Sequence, residues 1–333
     1  MLFSVSTMRK LFSSLLSLLS MKSAKTSYLK QARALKAPTA LTESGGEAEG
    51  LEFWNQHATL IRNAWSEWET SQGDELPSLD DEAIYDPTLR EAVKAAWKDP
   101  AKEEAIRPMW QEVVPSVYTC QLLQPDRIAD IRAYIDAASD AGIPTRRPNG
   151  MNRYGLILDP NTEGAVVIDG LDKFYQNLVN EYMRRLGRLF FPEYMQPPDD
   201  VESYAFTIRY REGEDVALRE HSDASLITMN INLNIPSRQN ETNCEGSTLY
   251  FVDDETGEHH EVKFRPGMAV LHRGMTRHAA QPIVQGERTN LVVWLFGQHG
   301  YVRFVPYEEH ERMTPRQRWS KPTRIPLNQR LEL

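Results

Sequence analysis

Four side chains in the C-terminal half of this 333-residue chain stand at spacings that could do chemistry together. The first two lie in His221-Ser222-Asp223. On an extended chain, residues i and i+2 project from the same side, so an imidazole and a carboxylate would meet one ion together. His278 lies 55 residues beyond Asp223, and Arg288 follows ten residues later. A turn at Gly286, in Val284-Gln285-Gly286-Glu287, would put His278 and Arg288 on neighbouring antiparallel strands. Two imidazoles and one carboxylate occupy one triangular face of a six-coordinate metal and leave three positions open. A buried arginine beside them is costly unless a carboxylate neutralises it, and a dicarboxylate ligand supplies that partner. In a chain with eight histidines a lone His-x-Asp means little; the ordered set is more specific.

These residues need a scaffold. From Ser203 onward, short apolar or alternating runs recur between Gly, Pro and Asp: Tyr204–Tyr210, Leu226–Leu233, Thr248–Phe251, Val262–Phe264, Met268–Leu271, Ala279–Val284 and Asn290–Phe296. Many short strands at this spacing predict a β-sandwich or barrel. Upstream, Val117–Leu123 alternates as a strand. Pro125 opens a helix with a stripe at Ile128, Ile131, Ile135 and Ala138. Phe174, Leu178, Tyr182, Leu186 and Leu189 define another helix, which stops before Pro192. Trp54, Ala58, Ile61, Trp65 and Trp68 form one face of a helix over Leu51–Thr70, with its tryptophans docked in a groove, and Leu89–Lys98 is a second short helix. The class is α+β.

The text FTIRYREGEDVALREHSD, ITMNINLN, GSTLYF and RPGMAVLHRGMTRHAAQPIVQGERTNLVVWLFG resembles the catalytic domain of 2-oxoglutarate- and Fe(II)-dependent oxygenases, the prolyl and lysyl hydroxylase branch above all. Val117–Phe191 is similar to the strand–helix–helix support of that family. The resemblance implies a double-stranded β-helix, a jelly-roll barrel with supporting helices on its N-terminal side. It implies Fe(II) held by His221, Asp223 and His278, and Arg288 in a forked pair with the distal carboxylate of 2-oxoglutarate. Tyr210 sits where relatives place a second hydrogen bond to that carboxylate, although a plain core tyrosine reads nearly as well. The implied reaction consumes O2 and 2-oxoglutarate, releases succinate and CO2, and hydroxylates an organic substrate, a protein side chain or a small molecule; ascorbate is a candidate reductant. Where relatives often have Gly-Gly, this chain has Gly246-Ser247, preceded by the long polar connection PSRQNETNCEG. The alternative is a catalytically inactive jelly-roll that only binds metal or ligand; the presence of all four residues favours catalysis. His272 is the rival metal ligand and otherwise a support. His259 and His260 read as a solvated hairpin tip, Trp294 as core, and Asn230 and Asn232 as hydrogen-bonding groups near the co-substrate.

Composition bounds the rest. With 41% hydrophobic and 26% charged residues the chain can build a sizeable core. Two cysteines cannot make a disulfide framework, and no uncharged apolar run reaches membrane-spanning length. Residues 1–42 hold seven basic residues, eight serines and no acid, the texture of a mitochondrial or plastid targeting peptide, with a secretory/endoplasmic-reticulum signal or a disordered cytoplasmic tail as alternatives. The remainder carries a net −16, which disfavours nucleic acid as a partner. The expected organisation is a leader at 1–42, an acidic helical extension at 43–114, a support region at 115–200, the jelly-roll core at 201–300 and an irregular tail at 301–333.

Overall fold

The computed structural model describes residues 27–38, 46–79, 82–197, 199–236 and 244–320. Twelve strands occur among them: β1 (Gln111–Val114), β2 (Val117–Gln121), β3 (Glu202–Arg211), β4 (Leu218–His221), β5 (Ile227–Asn232), β6 (Glu245–Gly246), β7 (Leu249–Val252), β8 (His259–Val262), β9 (Met268–Arg273), β10 (His278–Ala280), β11 (Ile283–Gln285) and β12 (Glu287–Phe296). A six-stranded antiparallel sheet runs in the order β1-β2-β9-β5-β12-β3, and a four-stranded one in the order β4-β10-β7-β8. From β3 onward the chain passes from one sheet to the other and back, which is the path of a double-stranded β-helix. Its two sheets do not close into a barrel: β11 pairs only with β6, in a separate two-stranded ribbon.

Side-chain alternation decides what each sheet face carries. On the large sheet, Ile227, Met229 and Ile231 of β5 and Leu291, Val293 and Leu295 of β12 join the main hydrophobic core under the helices. Their neighbours of opposite parity, Thr228, Asn230, Arg288, Val292 and Trp294, line the space between the sheets. Both faces of β5 are covered, so every residue of that strand is buried.

The helical layer consists of α1 (Tyr28–Arg33), α2 (Gly46–Gln72), α3 (Pro87–Lys98), α4 (Ile128–Asp140), α5 (Asp169–Asn177), α6 (Arg184–Phe190) and the single turn α7 (Pro315–Arg318). Trp54, Trp65 and Trp68 of α2 are buried in the main core, as their helical spacing predicts. Asp86 caps α3 by accepting from the Thr88 and Leu89 N–H groups, and Pro87 occupies its first turn. A π-helical turn (Leu178–Met183) joins α5 to α6. Trp319, after α7, packs edge-on to Trp97 and donates Nε1–H to the buried Glu103 carboxylate at 2.8 Å. No helix among the described residues is long and apolar enough to cross a membrane.

The serine-rich text of residues 1–26 lies outside the described residues, as do positions 237–243 with their glycosylation sequon Asn240-Glu241-Thr242. Composition grouped Ser27–Ala37 with the leader, yet α1 docks against the body. Ala32 is fully buried, the Leu29 N–H donates to Glu67 Oε2 at 3.0 Å, and Arg33 Nε donates to the Ala141 carbonyl at 2.8 Å. Docking this helix is worth on the order of 2 kcal/mol of apolar burial. A chain beginning at Glu43 should therefore melt about 4–8 °C below one beginning at Ser27, at roughly 2–4 °C per kcal/mol. Equal melting temperatures would show that α1 contributes nothing to stability.

Candidate metal centre and anion pocket

β4 and β10 pair antiparallel with His278 opposite His221, and the two ring centroids lie 4.3 Å apart. Asp223 stands two residues past the end of β4 rather than on the strand. Its position is fixed by a turn: the Asp223 N–H donates to the Gly274 carbonyl at 2.8 Å, and the Gly274 N–H donates to the Leu226 carbonyl at 3.0 Å. That approach requires glycine, because a Cβ on Gly274 would lie 2.0 Å from the Ser225 carbonyl oxygen. The result brings Asp223 Oδ1 to 3.5 Å from His221 Nε2 and Asp223 Oδ2 to 3.8 Å from His278 Nε2. One ligand atom from each of the three residues lies within 4.8 Å of the others.

The hydrogen bonds around these groups suit a metal. His221 Nδ1 faces the Arg219 carbonyl at 2.8 Å and His278 Nδ1 faces the Thr276 carbonyl at 3.0 Å. A carbonyl only accepts, so each Nδ1 carries the hydrogen and each Nε2 keeps a free lone pair toward Asp223, the usual outer support of a metal-bound histidine. Asp223 Oδ2 accepts from Thr228 Oγ1–H at 2.6 Å, and Ser225 Oγ lies 2.8 Å from the Thr228 hydroxyl oxygen. Burial works against the Asp223 carboxylate, but its polar neighbours, His221 first, then His278, His272 and the Thr228 hydroxyl, outweigh it and hold the pKa below the usual range. Burial lowers the pKa of His278 and keeps its imidazole neutral.

His272 sits on β9 of the opposite sheet. Its Nε2 is 3.9 Å from Asp223 Oδ2, its Nδ1 faces the Arg273 carbonyl at 2.8 Å, and burial drives its pKa down to about 3. It packs edge-on against Phe251 and His278, behind the triad rather than in it. His259 and His260 begin β8, after the turn rather than at its tip.

Arg288 and Tyr210 are opposite each other on β12 and β3, and they line the same cavity as the triad. The sequence placed Arg288 on the strand next to His278, but the chain leaves the small sheet after Ala280, so the two residues face each other across the cavity from different sheets. Arg288 is 4% exposed, and burial lowers its pKa. Tyr210 is fully buried; its hydroxyl accepts from Asn152 Nδ2 at 3.3 Å, and burial raises its pKa, so it stays a neutral donor. Asn230 lines this cavity, whereas Asn232 is turned to the backbone: Nδ2 donates to the Phe264 carbonyl at 2.6 Å and Oδ1 accepts from the Asn234 N–H at 2.8 Å. Trp294, expected in the core, packs against the cluster around Phe206 and Val292 and also lines the cavity, with its buried Nε1–H unpartnered. Strand parity with Arg288 was the available signal. Asn149 and Asn152, in the polar loop between α4 and α5, also line the cavity; no motif marked them.

Residues 70–196 match the model of an OGFOD2-like domain. The chain is related to the 2-oxoglutarate- and iron-dependent oxygenases. It is 30% identical over 193 residues to the Arabidopsis thaliana 2-oxoglutarate and iron-dependent oxygenase domain-containing protein CP2, covering 55% of this chain and 46% of the relative. Over 179 residues it is 30% identical to the Xenopus tropicalis 2-oxoglutarate and iron-dependent oxygenase domain-containing protein 2, covering 54% and 48%. The chain thus spans about half the length of these curated relatives. A solved Pseudomonas putida prolyl-4-hydroxylase aligns with 62% of this chain and 99% of its own at 15% identity and a TM-score of 0.38; at that score the likeness adds nothing to the strand order described above.

Proposed function

We propose that this chain is an Fe(II)- and 2-oxoglutarate-dependent dioxygenase that hydroxylates an organic substrate, a protein side chain or a small molecule, with succinate and CO2 as co-products. The observation that carries the reading is one cavity with the His221–Asp223–His278 cluster and a buried arginine that pairs with no carboxylate among the described residues. The three-residue donor set fits Fe(II): two imidazoles whose Nδ1 contacts leave Nε2 to face the ion, and one ionised carboxylate. Bound there, iron would activate O2 using electrons released by decarboxylation of 2-oxoglutarate.

The chain's own residues then have separable tasks. His221, Asp223 and His278 hold the ion, and Thr228 orients the carboxylate. Arg288 supplies the cation for the far carboxylate of 2-oxoglutarate. Tyr210 accepts from Asn152, which leaves its own O–H to donate to that carboxylate. Phe206, Ile208 and Val292 line the cavity between the sheets and keep its walls apolar.

The decisive experiment is an aerobic assay of the purified chain with and without Fe(II) and 2-oxoglutarate, reading succinate release. Iron-dependent succinate that rises with pooled peptide substrates is the expected result, with a gain of one oxygen atom on a peptide by mass spectrometry. No succinate under any condition would leave a binding module.

A further inference from the structure

Arg288 is the buried cation of the cavity, and its acceptors among the described residues are all uncharged. Nη1 donates to the Ser247 carbonyl and, at 3.3 Å, to Ser247 Oγ. In either orientation of the Asn290 amide, the guanidinium donates to its oxygen, at 3.3 Å from Nε in one and 2.9 Å from Nη2 in the other. The fold treats other buried arginines differently. Arg188 meets Asp200 through Nε and Nη2 at 2.8 and 3.0 Å, and Arg132 is shared between Asp136 and Glu287. Arg185 also lacks a carboxylate among the described residues, but its guanidinium lies 4.6 Å over the Trp97 ring. The rings nearest Arg288, Phe264 and Tyr210, stand off at 5.4 and 5.9 Å.

Ser247 adds a second observation. It has φ of +53° and is 3% exposed. A left-handed conformation is costlier for a side-chain-bearing residue than for glycine, and such strain persists where surrounding contacts over-determine it. The Ser247 N–H donates to the Pro282 carbonyl at 2.9 Å, a bond glycine would make equally well. What serine adds is the Oγ contact to Arg288. Asn290, fully buried on β12, has the same parity as Arg288 and so reaches the guanidinium from its own strand.

We propose that Ser247 and Asn290 are positioning residues that form an uncharged clamp, fixing the Arg288 guanidinium while leaving its charge for a dicarboxylate ligand to neutralise. This rests on the reading of Arg288 as the 2-oxoglutarate-binding residue. An acidic residue in the clamp would satisfy the arginine internally and compete with the co-substrate; an amide and a serine hold it without doing so.

The test uses the full chain and two readouts, the melting temperature without metal or ligand and the 2-oxoglutarate dissociation constant measured anaerobically with Fe(II). Asn290→Asp is isosteric and adds the missing carboxylate. It should keep or raise the melting temperature, leave Fe(II) affinity within about twofold, and weaken 2-oxoglutarate at least about tenfold, roughly 1.4 kcal/mol. Ser247→Gly should also keep or raise the melting temperature, since it relieves the backbone, yet raise the KM for 2-oxoglutarate about threefold or more at unchanged kcat. A merely structural role would move stability and affinity down together. Glu241, which lies outside the described residues, is the control: Glu241→Gln should leave the dissociation constant unchanged. The clamp is overturned by wild-type 2-oxoglutarate affinity in Asn290→Asp, by a lower melting temperature in Ser247→Gly, or by a tenfold tightening in Glu241→Gln that reveals an internal acid. If the wild type does not bind 2-oxoglutarate, the functional reading fails, and the clamp is still judged: a melting temperature of Asn290→Asp below the wild type would overturn it.

Discussion

Arg288→Ala should weaken 2-oxoglutarate binding by at least about a hundredfold while Fe(II) affinity stays within about twofold. The arginine is 4% exposed and has no carboxylate partner among the described residues, so the ligand's far carboxylate would be its first ionic partner. Breaking a buried, charge-assisted pair from one side costs roughly 3–5 kcal/mol, and each 1.4 kcal/mol is about tenfold in affinity. The loss should fall on KM and on the dissociation constant together, because the group binds co-substrate and holds no metal. Arg288→Lys keeps the charge but loses the fork, and should fall between the two. Tyr210→Phe removes one donor while leaving the ring packed, for a cost of roughly 1.5–3 kcal/mol as a hydrogen bond to a charged group. The apo protein should be no less stable in Arg288→Ala, since an uncompensated buried charge is removed along with its hydrogen bonds. Titrating 2-oxoglutarate anaerobically against iron-loaded wild type and variant decides the matter; equal affinities would sink the assignment of Arg288.

Much of this arrangement was legible before the fold was known, and the reasons are particular. The apolar positions 227, 229 and 231 and 291, 293 and 295 alternate with polar or cavity-lining ones, so β5 and β12 announced both their class and their two faces. The helical spacing of Trp54, Trp65 and Trp68 likewise predicted a docked helix, and all three are buried. Register and sheet membership were less accessible. Nothing local tells a chain leaving Ala280 that it will abandon the small sheet, so His278 and Arg288 were placed on adjacent strands when they belong to facing ones. The short strand β4 escaped because Leu218–His221 is mostly polar and only half covered. Ser247 was noticed as a departure from Gly-Gly, but its use depends on a left-handed φ and on an arginine 41 residues away, neither of which composition encodes. Helix α1 was hidden by its surroundings: a basic, serine-rich context masked an N-capped helix begun by Ser27, whose side chain accepts from the Lys30 N–H.

His278→Ala should abolish Fe(II) binding, His221→Ala should do the same, and His272→Ala should retain it. The distinction follows from which ligand atoms come together: one each from His221, Asp223 and His278 lie within 4.8 Å of one another, a set that does not include His272. His221 and His278 anchor Nδ1 to carbonyl oxygens and turn Nε2 toward Asp223, at 3.5 and 3.8 Å. Removing either leaves two protein ligands where the facial set needs three, and a labile ion such as Fe(II) is not held by a pair of this kind. His272 stands 3.9 Å from the Asp223 oxygen that already accepts from Thr228, and its ring is enclosed by Phe251 and His278. It therefore shapes the wall behind the triad, and its loss should cost packing and about tenfold in metal affinity as an outer support, at the low end of the 10–100-fold typical of such residues. Thr228→Val belongs to the same class, since it deletes the hydroxyl that orients Asp223, and Thr228→Ser should restore most of the loss. Anaerobic addition of Fe(II) and 2-oxoglutarate gives the readout through the weak visible charge-transfer band of the chelate. A His278→Ala protein that keeps this band, with a His272→Ala protein that loses it, would reassign the third ligand from the small sheet to the large one.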